Sequence, residues 1–207
     1  MYKKIFWLVL IVCATFLITG CGKNYKSSYD FYKQMQIKKM SLENIQFKIN
    51  SDIDGIGMQI DVKKAGDKLR LENTLKGNKN KTIYIRNNEG SYAYTSSSNK
   101  AYETNQNVEL QLNILEWQDA NETSMEFGKR KKINGEKCLE LFNKSEWHKT
   151  YYCISEKYGI PIKSVLTTKI NNIVFKTSME ISNIKTSKPS KSNFELPKDL
   201  KVIRLSK

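Results

Sequence analysis

Apolar and polar residues alternate along most of this chain with a period of two. Ile45, Phe47 and Ile49 alternate with Gln46, Lys48 and Asn50. Met58, Ile60 and Val62 do the same, as do Leu69 with Leu71 and Ile83 with Ile85. A period of two marks a strand with one buried face. Asp54-Gly55, Ala65-Gly66-Asp67, Gly77-Asn78-Lys79-Asn80 and Asn87-Asn88-Glu89-Gly90 separate these runs with turn chemistry. The spacing predicts an antiparallel meander, continued by Tyr92, Tyr94 and Tyr102 around a polar turn at 95–99. The pattern resumes at Met125-Glu126-Phe127 and in segments 137–142, 150–155, 160–168 and 173–184, with turns at Gly135 and Tyr158-Gly159.

Two segments change the period. Ser28 is an N-cap candidate for a helix over 29–40, where Phe31 and Met35 share a face and Tyr29 and Tyr32 extend it. In segment 108–117, Val108, Leu112 and Leu115, or Leu110, Ile114 and Trp117, fit helical spacing. Val108, Leu110, Leu112 and Ile114 also alternate, but Leu, Gln and Glu favour the helix. The tail from Ser187 holds Pro189 and Pro197 and reads as coil with a short extended piece along a sheet edge. The expected class is α+β, with one antiparallel sheet and two helices. Two helices cover only part of such a sheet's apolar face. Either the sheet curls strongly around them, or a groove remains for a ligand or protein partner.

Residues 1–20 stand outside this scheme. Lys3 and Lys4 precede an apolar run from Ile5 to Ile18, and small residues lead to Cys21. That arrangement is an export signal, and the run falls short of the roughly 20 residues needed to span a bilayer. Leu17-Ile18-Thr19-Gly20-Cys21 resembles a lipobox. The resemblance implies cleavage before Cys21 and a diacylglyceryl group on its sulfur. The expected organisation is a signal peptide over 1–20, a lipidated tether over 21–28 and one domain over 29–207, long enough for its own core.

The formal charge is +14, with the lysines spread along the chain. Such a surplus suits a protein held beside anionic lipid or cell-wall polymer on the outer face of the cytoplasmic membrane. An exported chain does not meet nucleic acid. The run Lys129-Arg130-Lys131-Lys132 therefore reads as exposed residues and turn between two strands.

Of four cysteines, Cys13 leaves with the signal and Cys21 takes the lipid. Cys138 and Cys153 remain in a disulfide-permissive compartment, which favours a bond over two buried thiols. A hairpin centred on Ser145-Glu146 would place them directly opposite each other, with Phe142 opposite Lys149 and Glu140 opposite Tyr151. No metal site or cofactor is expected, because the lone His148 cannot complete a ligand set. It falls at a hairpin tip without the neighbours of a catalytic base. Asp52 and Asp54 lack the further carboxylates of a calcium loop and read as a turn.

Three runs carry a family resemblance: Ile133-Asn134-Gly135-Glu136-Lys137-Cys138, then 153–163 from Cys153 to Lys163, then Ser192-Asn193-Phe194-Glu195-Leu196-Pro197 ahead of Leu200-Lys201-Val202-Ile203. In this order they resemble the C-terminal half of the LolA/LolB-like lipoprotein carrier superfamily. The resemblance implies a strongly curved half-barrel sheet with two or so helices covering its concave face. Within the superfamily, length and composition are similar to spore germination lipoproteins of clostridia. That similarity implies a non-enzymatic partner of a cell-wall amidase acting on spore cortex, in the forespore membranes.

Two functions follow as expectations. One is a protein-binding module, for which Trp117, Trp147 and Tyr151 are candidate anchors, although core or hairpin packing explains each of them equally well. The other is a carrier or sensor of acyl chains, its groove lined by Ile45, Phe47, Met58, Ile60, Leu69, Leu71, Ile83, Leu112 and Leu115. The same residues would equally fill an ordinary core. Long sheet edges also permit a homodimer by strand exchange.

Overall fold

A computed structural model describes residues 25–104, 125–144, 147–171 and 173–204. Helix α1 (Ser28–Met40) leads into β1 (Asn44–Ile53), β2 (Ile56–Ala65), β3 (Lys68–Leu75), β4 (Thr82–Asn87), β5 (Gly90–Thr95) and β6 (Lys100–Glu103). Then come β7 (Met125–Ile133), β8 (Glu136–Lys144), β9 (His148–Ser155), β10 (Pro161–Ile170) and β11 (Ile173–Lys185). A 3-10 turn (Lys191–Phe194) and β12 (Lys201–Ile203) follow. The helix expected over 108–117, with Leu112, Leu115 and Trp117, lies outside the described residues.

The twelve described strands form one curved open sheet in the order β12-β6-β5-β4-β3-β2-β1-β11-β10-β9-β8-β7. It consists of two antiparallel meanders, β1–β6 and β7–β11, joined where β1 pairs with β11. This is the strongly curved antiparallel half-barrel sheet expected from the sequence. The tail supplies the one parallel pairing among the described strands, β12 on β6.

Helix α1 begins one residue earlier than the sequence suggested. Ser27, in an extended conformation, is the N-cap, and its hydroxyl accepts from the Asp30 amide at 3.1 Å. Ser28 is instead a buried helical residue. The anticipated apolar face is correct, since Phe31 and Met35 are completely buried. They pack on Met125, Leu139, Leu141 and Ile154 of β7–β9.

The β8–β9 hairpin departs from the expected register by two residues. Cys138 lies opposite Ser155, Glu140 opposite Cys153 and Phe142 opposite Tyr151. The last pair is Lys144 with Lys149, so the connection is longer than the two-residue turn the sequence suggested. The shift sets Phe142 and Tyr151 in ring contact at 5.4 Å, where the expected register gave Phe142 a lysine. A two-residue shift leaves every side chain on its original face. The cysteines are therefore diagonal neighbours, still 5.3 Å apart at Cα, and they form the disulfide.

Lys129-Arg130-Lys131-Lys132 lies within β7 and not in the turn, which is Asn134-Gly135. Among the described strands β7 lies at the sheet edge. Four exposed basic residues and a register break between Phe127 and Arg130 set that edge against pairing with another strand.

Candidate functional site: the inner face of the sheet

The alternating positions place one apolar row per strand on the inner face. Ile45, Phe47, Ile49, Ile60, Val62, Leu69 and Leu71 form its centre, together with Met179 and Ile181. Of the proposed groove residues, Ile45, Phe47, Ile60, Leu69, Leu71 and Ile83 are all at most 6% exposed. Met58 is half-buried at the margin of the same cluster.

Three parts of the chain cover this face among the described residues. Helix α1 lies on β7–β9. Tyr158, Ile160 and Ile162, around the β9–β10 connection, join the central cluster with the Cys138–Cys153 pair. Leu196 and Leu200 of the tail pack on Ile83, Ile85, Tyr94 and Ala101. The tail is also held by polar contacts: Lys63 Nζ donates to Asn193 Oδ1 at 2.7 Å, and Asn87 Nδ2 to the Phe194 carbonyl at 2.9 Å.

Gly159 makes the seat for α1. Its φ is +71°, and an added Cβ would lie 2.1 Å from the Met35 carbonyl oxygen. Glu156, just beyond β9, gathers the start of the described chain. Its carboxylate accepts from the Tyr25 hydroxyl at 3.1 Å and from Arg130 at 3.0 Å, and its carbonyl accepts from Lys38 Nζ. Burial and the Glu156 charge push the Tyr25 hydroxyl up to about 12.

Glu140 is a buried carboxylate on β8. It accepts from the Lys129 amide at 3.1 Å and the Tyr151 hydroxyl at 3.2 Å, and pairs with Lys131 at 2.5 Å. Burial raises its pKa, but these donors outweigh burial and hold it below the usual carboxylate range. Burial, then the Glu140 charge, pushes Tyr151 up to about 12. The bulge at Gly128 makes room, because a Cβ there would stand 2.7 Å from Glu140 Cβ. Sequence reasoning missed this cluster. Its one visible signal is an acidic residue inside the apolar run Cys138–Phe142, opposite a basic run.

The remaining sequence-predicted residues are scattered. His148 and Trp147 are exposed at the β8–β9 tip. Tyr151 is half-buried, with its hydroxyl bonded to Glu140 and its ring against Phe142. Asp52 and Asp54 build the β1–β2 turn: Asp52 Oδ1 accepts from the Gly55 amide, and Asp54 Oδ1 from the Lys176 amide of β11. No group of three His, Cys, Asp or Glu among the described residues could hold a metal ion. No described helix is long and apolar enough to cross a membrane.

Burial is uneven along the strands. The Asn44–Ala65 end is packed, while the opposite end leaves its inner-face residues open. Ile56 is 65% exposed and Ile173 59% exposed.

The sequence matches no family model, and no curated protein is similar to it in sequence. Solved structures share its fold. An uncharacterised conserved protein from Thermus thermophilus superposes with a TM-score of 0.57 at 11% identity, over 86% of this chain and 99% of that one. MucB superposes with a TM-score of 0.52 at 9% identity, over 85% of this chain but 65% of its own length. MucB solved in complex with MucA(peri) gives 0.50 at 12% identity, over 86% of this chain and 62% of that one. At these identities the likeness is one of fold.

Proposed function

We propose that this chain is an exported, non-catalytic binding module, anchored by a lipid on Cys21 to the outer face of the cytoplasmic membrane. Residues 1–20 are its signal peptide, and the short segment from Cys21 to Tyr25 is its tether, because Tyr25 already packs on the domain. The observation that carries the reading is the closure of the inner face. Six of the residues that would line an acyl groove are buried, and they join core clusters with the chain's own β9–β10 connection and tail. A sheet so filled offers its margins and rim for contact with another protein. MucB, of similar fold, has been crystallised with a protein bound, MucA(peri).

The partner we favour is a cell-wall amidase acting on spore cortex, as the resemblance to the clostridial germination lipoprotein GerS implies. The test is reconstitution of the full chain with the amidase of the same cell. Binding at fixed stoichiometry, with peptidoglycan cleavage only in the amidase's presence, is the expected outcome. Cleavage by this chain alone, or no association at micromolar concentrations, would overturn it.

A second reading has one observation behind it. The inner face opens at the end away from Glu156, where Ile56 and Ile173 are exposed. An acyl chain could enter there, as in a lipid carrier or sensor. Lipid that co-purifies with the chain from its own membranes would favour this reading.

A further inference from the structure

The outer face of the sheet carries a charge pattern of its own. Met179 is buried on the inner face, so Lys176, an odd number of residues away on a regular strand, points outward. Thr167 opposes Lys176, Lys149 opposes Thr167, and Lys144 opposes Lys149. The row Lys144–Lys149–Thr167–Lys176 thus crosses β8, β9, β10 and β11 in sheet order. At ~4.8 Å between neighbouring strands, the row is about 14 Å long. Lys169 follows Thr167 at period two and stands on the same face.

Elsewhere on this face lysines are matched with acids. Lys48, which alternates with the buried Phe47 and Ile49, pairs with Asp61 at 3.5 Å, and Lys163 pairs with Glu180 at 3.1 Å. Lys144, Lys149, Lys169 and Lys176 are exposed, and none pairs with an acid among the described residues. The acids of the neighbouring β1–β2 turn, Asp52 and Asp54, accept from the Gly55 and Lys176 amides. Lys144 and Lys149 face each other directly, and like charges so placed repel across a strand pair. An anion laid along the row would neutralise that repulsion.

Trp147 gives the row a flat wall. It is 62% exposed. With His148, Lys149, Thr167, Lys169 and Val174 it lines a cleft of about 190 Å³. The Trp147 carbonyl accepts from the Lys169 amide at 2.8 Å, which ties this wall to β10. A second concavity, of about 460 Å³, adjoins the cleft and extends over β10, β11 and β1. Asn50 and Ser178 bring an amide and a hydroxyl to it beside Lys176. Asp52 and Glu180 also line it and are engaged with the Gly55 amide and Lys163.

These groups together suit one class of ligand. An indole offers a flat apolar face with a single N–H at its edge. A sugar ring presents a C–H face of matching shape, with hydroxyls around its rim for amide and hydroxyl side chains. Lysine ammonium groups suit carboxylates or phosphates carried on such rings, because they act as point charges without a required plane. A protein partner needs an interface centre that is apolar and poor in lysine, whereas lysines form the centre here. A bilayer surface needs a broad apolar face to insert, and the cleft offers only Trp147 and Val174.

We propose that this outer-face cleft binds an acidic glycan, with Trp147 stacked on a sugar ring and Lys149 and Lys169 on its acidic groups. The assignment goes beyond the protein-binding reading and stands whether or not an amidase docks elsewhere on the chain. The test is co-sedimentation of the full chain, held in neutral detergent, with intact cell walls, with walls stripped of phosphate polymers by hydrofluoric acid, and with chitin, a neutral glycan. The expected result is saturable binding to intact walls and none to chitin. Binding kept on stripped walls assigns the acidic groups to peptidoglycan carboxylates, and binding lost with the phosphate assigns them to the phosphate polymer. Trp147→Ala should weaken binding at least tenfold. Lys149→Gln combined with Lys169→Gln should do the same at low salt and less at high salt, where screening already removes the ionic part. Lys198→Gln combined with Lys201→Gln removes equal charge from exposed lysines of the tail and should leave binding within twofold of the parent. All these side chains are exposed, so each variant should keep the parent's urea midpoint. Binding to chitin as strong as to walls, binding indifferent to Trp147→Ala, or an equal loss in the tail pair would each overturn the assignment. No binding to either wall would also overturn it, and is the result expected if this face meets an acidic protein or a bilayer instead.

Discussion

Gly159→Ala tests how α1 is seated on the sheet. Two costs act at this position. The backbone has φ +71°, where an L side chain costs roughly 1–2 kcal/mol. The new methyl would also sit 2.1 Å from the Met35 carbonyl oxygen and 3.1 Å from the Lys39 amide nitrogen. Both are helix backbone, so the clash is relieved only by moving α1 off its seat, and overpacking of this kind costs about 1–3 kcal/mol. The two together predict a loss of about 2–5 kcal/mol. Gly66→Ala and Gly135→Ala are the controls, because their φ values are +56° and +86° and their added methyls meet nothing within 4 Å. They carry the backbone cost alone. Urea unfolding followed by tryptophan fluorescence gives all three values. If Gly159→Ala is no worse than the controls, α1 does not rest on the β9–β10 turn, and the account of how the inner face is closed fails.

Other outcomes follow from the same structure. Replacing Cys138 and Cys153 together by Ala should cost up to about 3 kcal/mol, since the bond closes a loop with sequence separation 15; an unchanged urea midpoint would contradict this. Ser51→Ala should leave stability unchanged or raise it by about 1 kcal/mol, because it removes a buried hydroxyl without a partner; a loss beyond about 1 kcal/mol in the same assay would mean the hydroxyl is satisfied. The carboxyl of Glu140 is held below its unfolded range, so its contribution is present above roughly pH 4.3 and fades as pH falls through the lower folded value. Unfolding free energies at pH 7 and pH 3 should therefore differ less in Glu140→Gln than in the parent, and an equal difference would refute the pairing with Lys131 and Tyr151. Cys21→Ala should move the chain from the membrane pellet to the soluble exported fraction, and retention in the pellet would contradict a lipid anchor.

Local order was legible in the sequence, and long-range order was not. Alternation at Ile45, Phe47 and Ile49 or at Leu69 and Leu71 reports directly on which side of a strand is apolar. The helix and its buried pair, Phe31 and Met35, follow from i, i+4 spacing in the same way. The β1–β11 pairing joins segments more than a hundred residues apart, and no local pattern names a partner at that distance. The β8–β9 register escaped for a smaller reason. Shifting a hairpin by two residues preserves both faces, so alternation is blind to it, and the choice fell to the Phe142–Tyr151 contact. Glu140 was illegible because its partners come from β7 and β9 and a bulge at Gly128. The open end was hidden by its likeness to the core. Ile53, Ile173 and Phe175 extend the same alternating rows as Ile49 and Met179, and periodicity states a face without stating what covers it.

Native mass spectrometry of the full-length chain, released gently from its own membranes, bears most directly on the proposal that this is an anchored protein-binding module. The predicted spectrum shows the acylated chain with one second protein at fixed stoichiometry and no bound lipid beyond the anchor. A spectrum of the chain alone with a bound phospholipid, and no protein partner, would contradict the account and favour a lipid carrier.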